Sequence, residues 1–125
     1  MSTSAPPRGW YPKRGEVYWA WIDKKRPCVV LSVDQINRFR VDICVVPFTG
    51  MEHKRFGLRV YVDARESGLA EDSWAKCDQI TTIAKKNLYY PPRGSLAESA
   101  LVQIENSVGV ALGLMQFNGN IFPNA

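Results

Sequence analysis

Gly15-Glu16-Val17-Tyr18-Trp19-Ala20-Trp21-Ile22, then Asp23-Lys24-Lys25-Arg26, then Pro27-Cys28-Val29-Val30-Leu31-Ser32-Val33, is the stretch that decides the fold class. In the first piece Val17, Trp19 and Trp21 recur at period two, the spacing of one face of a strand. Asp23 to Arg26 reads as a short polar turn. The run from Cys28 to Val33 is nearly all apolar and rich in β-branched residues. That pattern predicts a buried strand, with Pro27 at its first position, where a missing N–H does least harm.

Outward from this pair the chain continues in short strands. Asp34 to Arg40 is a polar connection, and Val41 to Phe48 is the next strand. Thr49 to Gly57 is polar and reads as a loop. Leu58, Val60 and Val62 alternate with Arg59, Tyr61 and Asp63, which predicts a half-buried strand. Glu66-Ser67-Gly68-Leu69 reads as a turn. Ser73 to Ile83 reads as one further strand, with Lys85 to Leu88 as a possible continuation, and Pro91-Pro92 as a break. One long helix is predicted from Ser95, where Ser95 and Glu98 have the spacing of a capping box. Leu101, Ile104, Val108 and Ala111 then repeat on one helical face, and the helix should stop near Gly113. Short strands followed by one helix predict a mainly β fold, a small antiparallel barrel with a C-terminal α-helix. The expected organisation is a loose N-terminal arm over 1–12, a barrel domain over 13–115 and a tail over 116–125.

At 125 residues the chain has the size of one ordinary domain. No apolar run approaches a membrane span, and residues 1–12 carry no apolar signal core. Three cysteines without a Cys-x-x-Cys spacing read as small core residues in a reducing compartment, the cytoplasm. With a single histidine, His53, and no thiol near it, no metal site is expected. All 16 Lys and Arg residues stand at or before Arg93, and only Glu98 and Glu105 are charged after Gly94. Removing that −2 from the net +4 leaves +6 on the first 94 residues. A basic body suits nucleic acid, although the same charge describes an ordinary solvated surface.

Three places carry side chains suited to phosphate chemistry. Arg26, held by Pro27 at a turn, offers a planar, permanently charged fork. Thr49, at the end of the third strand, offers a hydroxyl. Lys76 and Asp78 stand two apart, so strand alternation would put them on one face as an acid and a base, or as a surface ion pair. Each reads alone as an unremarkable surface residue.

In chain order, the pieces together resemble a known family. Arg14-Gly15-Glu16-Val17-Tyr18-Trp19, Arg26-Pro27-Cys28-Val29-Val30-Leu31-Ser32, Asp34-Gln35-Ile36-Asn37-Arg38, Val45-Val46-Pro47-Phe48-Thr49 and Cys77-Asp78-Gln79-Ile80-Thr81-Thr82-Ile83 resemble the successive motifs of MazF/PemK toxins. The likeness runs from Lys13 to about Leu114. It implies an SH3-like barrel of the MazF/CcdB kind, a homodimer, a partner antitoxin and endoribonuclease activity on single-stranded RNA, with no cofactor. By position it implies that Arg26 stabilises the scissile phosphate and Thr49 assists. It implies Asp78 as general base and Lys76 as general acid, where some members carry Arg. Lys24, Lys25, Lys54, Arg55 and Gln79 are the candidate RNA-binding residues around them.

The chemistry itself needs no metal. RNA supplies its own 2′-OH nucleophile; a base, an acid and a cation complete the set, and the product is a 2′,3′-cyclic phosphate. Asp23-Lys24-Lys25 is shorter than the corresponding family loop by several residues. That departure supports an alternative, a catalytically inactive barrel that binds RNA or a protein. A gyrase inhibitor like CcdB is a further alternative, but the ending Ile121-Phe122-Pro123-Asn124-Ala125 lacks the Trp-Gly-Ile of that class.

Overall fold

The computed structural model describes residues 4–51 and 58–115. Strands β1 (Glu16–Trp21) and β2 (Lys25–Val30) pair antiparallel, Val17 opposite Val29 and Trp21 opposite Lys25. Only three residues join them, and the Ile22 amide donates to the Lys24 carbonyl at 3.0 Å. The segment read as a polar connection winds into a short helix, α1 (Asp34–Phe39). Its Asn37 is fully buried and exchanges hydrogen bonds with Ser32. This is a tertiary contact that no local periodicity signals.

Strand β3 (Asp42–Thr49) is the hub. It pairs with β2, Cys28 opposite Pro47. Farther along the chain come β4 (Arg59–Val62), α2 (Ala64–Ser67), β5 (Ser73–Lys76), β6 (Thr81–Ala84), a 3-10 turn (Lys85–Asn87), β7 (Leu88–Ser95) and α3 (Glu98–Ala111). The strands run β4-β5-β3-β2-β1-β7, with β6 also on β3, and every pairing is antiparallel. β5 takes the C-terminal end of β3 and β6 takes its N-terminal half. That division explains why the segment 73–83, which reads as one strand, is two. The chain leaves β3 at Lys76, turns through Cys77 and Asp78, and returns at Thr81.

Both faces of β1 and β2 are covered. Val17, Val29, Val46, Phe48, Val60, Val62 and Ala75 pack against Ala100, Ile104 and Val108 of α3. Tyr18, Ala20, Cys28, Val30, Ile43 and Val45 form a second cluster with Ile83, Leu88 and Trp10. Burial on both faces follows because α3 covers the strand wall on one face while Trp10 of the terminal segment packs against the other. The barrel closes where α2 meets β7. Asp63 caps α2 by accepting the Glu66 amide at 2.9 Å, and Gly68 ends it at φ 75°. A Cβ on Gly68 would fall 1.8 Å from the Arg93 carbonyl oxygen, so only glycine lets the two backbones meet there.

Three local expectations change. The capping box does not form. Ser95 is the last residue of β7, α3 starts at Glu98, and the Ala97 amide goes instead to the Glu66 carboxylate at 2.8 Å. Pro91-Pro92 does not end the strand. β7 runs through it, and the β1–β7 ladder shifts register between Val17 and Trp19, a bulge that spares the prolines a hydrogen bond they cannot donate. The Tyr90–Pro91 bond is cis. Of the segment read as a loose arm, residues 4–9 are exposed while Trp10 to Pro12 pack on the barrel: Pro12 is buried and the Trp10 ring stands edge-on to Tyr18 and Tyr90. The tail 116–125 lies outside the described residues.

Candidate active site

Arg26 is the second residue of β2, opposite Ala20 of β1. The three-residue connection holds Asp23 beside it. Arg26 donates from Nε to Asp23 Oδ1 at 2.6 Å and from Nη2 to Oδ2 at 3.0 Å. This two-pronged bond holds the Asp23 carboxyl far below the usual carboxylate range and raises the Arg26 pKa further. It fixes the fork while spending two of its N–H groups; among the described residues the other three of the five that a guanidinium carries have no acceptor.

Thr49 ends β3, opposite Trp74 of β5. The β2–β3 ladder ends with Cys28 against Pro47, and strand alternation puts Arg26, two residues before Cys28, and Thr49, two after Pro47, on the same face of the sheet. Thr49 Oγ1 accepts the Met51 amide at 3.2 Å. Its own hydroxyl proton remains available to a phosphate oxygen.

Lys76 ends β5, directly opposite Arg59 of β4. Its pKa is lowered, first by burial and then by the positive charges of Arg26 and Arg59; Asp23 and Asp78 act in the opposite sense. Two cations facing each other across strands repel. Arg26 adds a third, and one Arg59 guanidinium nitrogen, Nη1, is buried with no hydrogen-bond partner among the described residues. Asp23 offsets part of this charge at Arg26, and a further anion beside Lys76 and Arg59 would offset more.

The structure thus brings Arg26, Thr49 and Lys76 to one face. In β2, β3 and β5 these residues alternate with Pro27, Phe48 and Ala75, of which Phe48 and Ala75 belong to the helix-side core. Asp78 does not share a strand face with Lys76, because β5 stops at Lys76; it lies in the exposed turn, where its charge still acts on the lysine. Gln79 follows it, exposed, with its amide bonded to the Lys76 carbonyl at 3.0 Å. Lys24 is exposed in the β1–β2 turn. Lys25 faces away from Arg26, its ammonium 4.9 Å from the Tyr89 ring centre and 5.6 Å from that of Trp19. Strand alternation sends neighbours to opposite faces, so Lys25 does not join the Arg26 cluster. Lys54 and Arg55 lie outside the described residues.

Arg59 is the member that sequence reasoning missed. It stood on the polar side of a strand pattern, but nothing local reveals that β4 pairs with β5 in the register that sets it against Lys76. A cavity of about 290 Å³ is lined by Trp19, Pro27, Phe48, Gly50 and residues 69–73, and by none of these cations.

Known proteins share this chain's sequence pattern and fold. Residues 13–112 match the family model of the PemK-like, MazF-like toxin of type II toxin-antitoxin systems. The chain is 30% identical to the endoribonuclease MazF9 of Mycobacterium tuberculosis over 115 residues, covering 82% of this chain and 97% of that one. It is 27% identical to the endoribonuclease MazF of Staphylococcus epidermidis, over 85% of this chain and 95% of the other. Among solved structures, the Mycobacterium tuberculosis toxin MazF-mt6 superposes with a TM-score of 0.72 at 27% identity, over 81% of this chain and 99% of that one. A mycobacterial endoribonuclease in complex with its cognate antitoxin shares the fold, with a TM-score of 0.73 at 24% identity, over 84% and 98% of the two chains. A family-model match over residues 13–112 places this chain in the PemK-like, MazF-like toxin family of type II toxin-antitoxin systems.

Proposed function

We propose that this protein is a toxin endoribonuclease that cuts single-stranded RNA by metal-independent attack of the 2′-OH on the adjacent phosphate. The observation that carries the reading is the gathering of Arg26, Arg59 and Lys76 on one face, with the lysine pKa lowered by burial and by its cationic neighbours. Arg26 holds the scissile phosphate and offsets the charge that builds on it. Thr49 donates to a second phosphate oxygen. Asp78 takes the 2′-OH proton, and Lys76 gives a proton to the departing 5′-oxygen. A lysine with a lowered pKa surrenders that proton more readily than an ordinary one. The bond from phosphorus to the 5′-oxygen breaks as the bond to the 2′-oxygen forms, leaving a 2′,3′-cyclic phosphate.

The reading includes partners. An antitoxin neutralises the activity, as the relatives solved with one suggest. The chain pairs with a second copy through the face where Val33, Ile36 and Ile80 are exposed beside Cys44 of β3. The three cysteines are free, and burial pushes the Cys28 and Cys77 thiols up to about 12. Inert thiols of this kind suit the cytoplasm. No described helix is long and apolar enough to cross a membrane.

The competing reading, an inactive barrel, draws on the bond between Asp23 and Arg26. The deciding experiment incubates purified protein with mixed-sequence single-stranded RNA in EDTA and analyses the ends. Fragments with 2′,3′-cyclic phosphates support transesterification. Intact RNA leaves the inactive barrel, and cleavage that EDTA abolishes removes the metal-free mechanism.

A further inference from the structure

Beside the cation cluster, the β4–β5 ribbon presents two aromatic rings on the same face. In β4, Val60 and Val62 are buried while Arg59 and Tyr61 alternate with them. In β5, Ser73 and Ala75 are buried while Trp74 and Lys76 alternate with them. The register sets Tyr61 opposite Trp74 and Arg59 opposite Lys76. The ribbon therefore carries a paired aromatic row next to a paired cationic row, about 7 Å apart along the strands. Trp74 is also opposite Thr49 on its other side, so the aromatic row begins at the hydroxyl assigned to the scissile phosphate.

The rings are held in place before any ligand arrives. Their centres are 5.5 Å apart with planes at 63°. The Tyr61 hydroxyl donates to Asp72 Oδ2 at 2.8 Å, and the other Asp72 oxygen accepts the Ala64 amide at 2.8 Å. Tyr61 nevertheless remains 52% exposed. A large ring fixed by a hydrogen bond, backed edge-on by a tryptophan and left open to solvent, is a ready stacking surface.

We infer that Tyr61, buttressed by Trp74, is a base-stacking subsite for the nucleotide next to the scissile phosphate, with Arg59 holding that nucleotide's own phosphate. The inference rests on the reading of this face as an RNA site. A single-stranded nucleic acid uses both rows at once, since each nucleotide brings a flat base and an anionic phosphate. Stacking accepts any base, so the subsite supplies affinity and positioning without choosing the cleavage sequence.

The test measures binding of a fluorescent 2′-O-methyl oligoribonucleotide, which lacks the nucleophile and stays intact, to the full-length parent, Tyr61→Leu and Tyr61→Phe. Tyr61→Leu should weaken binding by roughly tenfold or more, the loss of one stacked base. Tyr61→Phe, which keeps the ring and drops the bond to Asp72, should bind nearly as the parent does. An otherwise identical base-free strand should bind the parent and Tyr61→Leu equally. Unchanged binding by a folded Tyr61→Leu overturns the subsite, as does an equal loss for the base-free strand. If Tyr61→Leu turns a dimer into a monomer in light scattering, the ring belongs to a protein interface and the subsite is wrong. A parent that binds the oligonucleotide but cuts no RNA removes the cleavage reading and leaves stacking standing. A parent that cuts RNA while Tyr61→Leu binds unimpaired removes stacking and leaves cleavage. A parent that binds no oligonucleotide removes both.

Discussion

Replacing Arg26 by alanine removes the guanidinium at the centre of the candidate site. Two of its N–H groups hold Asp23, which leaves three for phosphate. In the proposed mechanism these groups meet the charge that develops as phosphorus becomes five-coordinate. Losing one well-placed donor to such a charge costs about 10²–10³ in rate, or roughly 3–4 kcal/mol of transition-state stabilisation. Arg26→Ala also frees Asp23, whose negative charge then faces incoming phosphate unpaired, so the loss should sit at the upper end of that range. Arg26→Lys keeps a charge without the fork and should fall in between. The barrel should be almost indifferent, since the Arg26–Asp23 pair lies at the surface and exposed ion pairs add little to stability. The assay is cleavage of a dye-quencher RNA oligonucleotide under enzyme excess, with melting temperature measured on the same samples. A folded Arg26→Ala that cuts within a few-fold of the parent would refute the role given to this residue.

Asp78→Asn should lower kcat by roughly two orders of magnitude or more while leaving KM for RNA close to the parent's, because a general base serves the chemical step; a change confined to KM would show that it binds substrate instead. Arg59→Met removes one of the two cations that depress the Lys76 pKa, so that pKa rises. A general acid must be protonated, and activity falls as pH climbs through its pKa. The alkaline limb of the pH–rate profile should therefore move to higher pH, and an unmoved limb would mean that Lys76 is not the acid. Gly68→Ala forces a Cβ into the Arg93 carbonyl at a left-handed position. A thermal melt should report a loss above about 2 kcal/mol, since left-handed backbone alone costs a non-glycine residue roughly 1–2 kcal/mol before the clash is counted.

Strand character and the terminal helix were legible in the sequence because they arise within a few residues. Period-two burial in Leu58–Asp63 and period-3.6 burial in Leu101–Val108 are local patterns, and the structure keeps both. Arg26, Thr49 and Lys76 could be named in advance through the family's motifs, which fix residue type and order along the chain. Their meeting is tertiary. It depends on the β2–β3 and β3–β5 registers, and a shift of one residue in either would turn a side chain to the other face. The same dependence hid the rest. Asp78 left the strand because β3 takes a new partner beyond Lys76, and Lys25 turned away because it is the odd neighbour of Arg26. The capping box lost to a carboxylate from α2, Glu66, thirty-one residues earlier in the chain. Arg59 against Lys76, and Tyr61 against Trp74, exist only because β4 returns beside β5. Sequence specified which chemistry the chain carries; pairing register decided which of those groups share a face, because it couples residues whose separation along the chain carries no local signal.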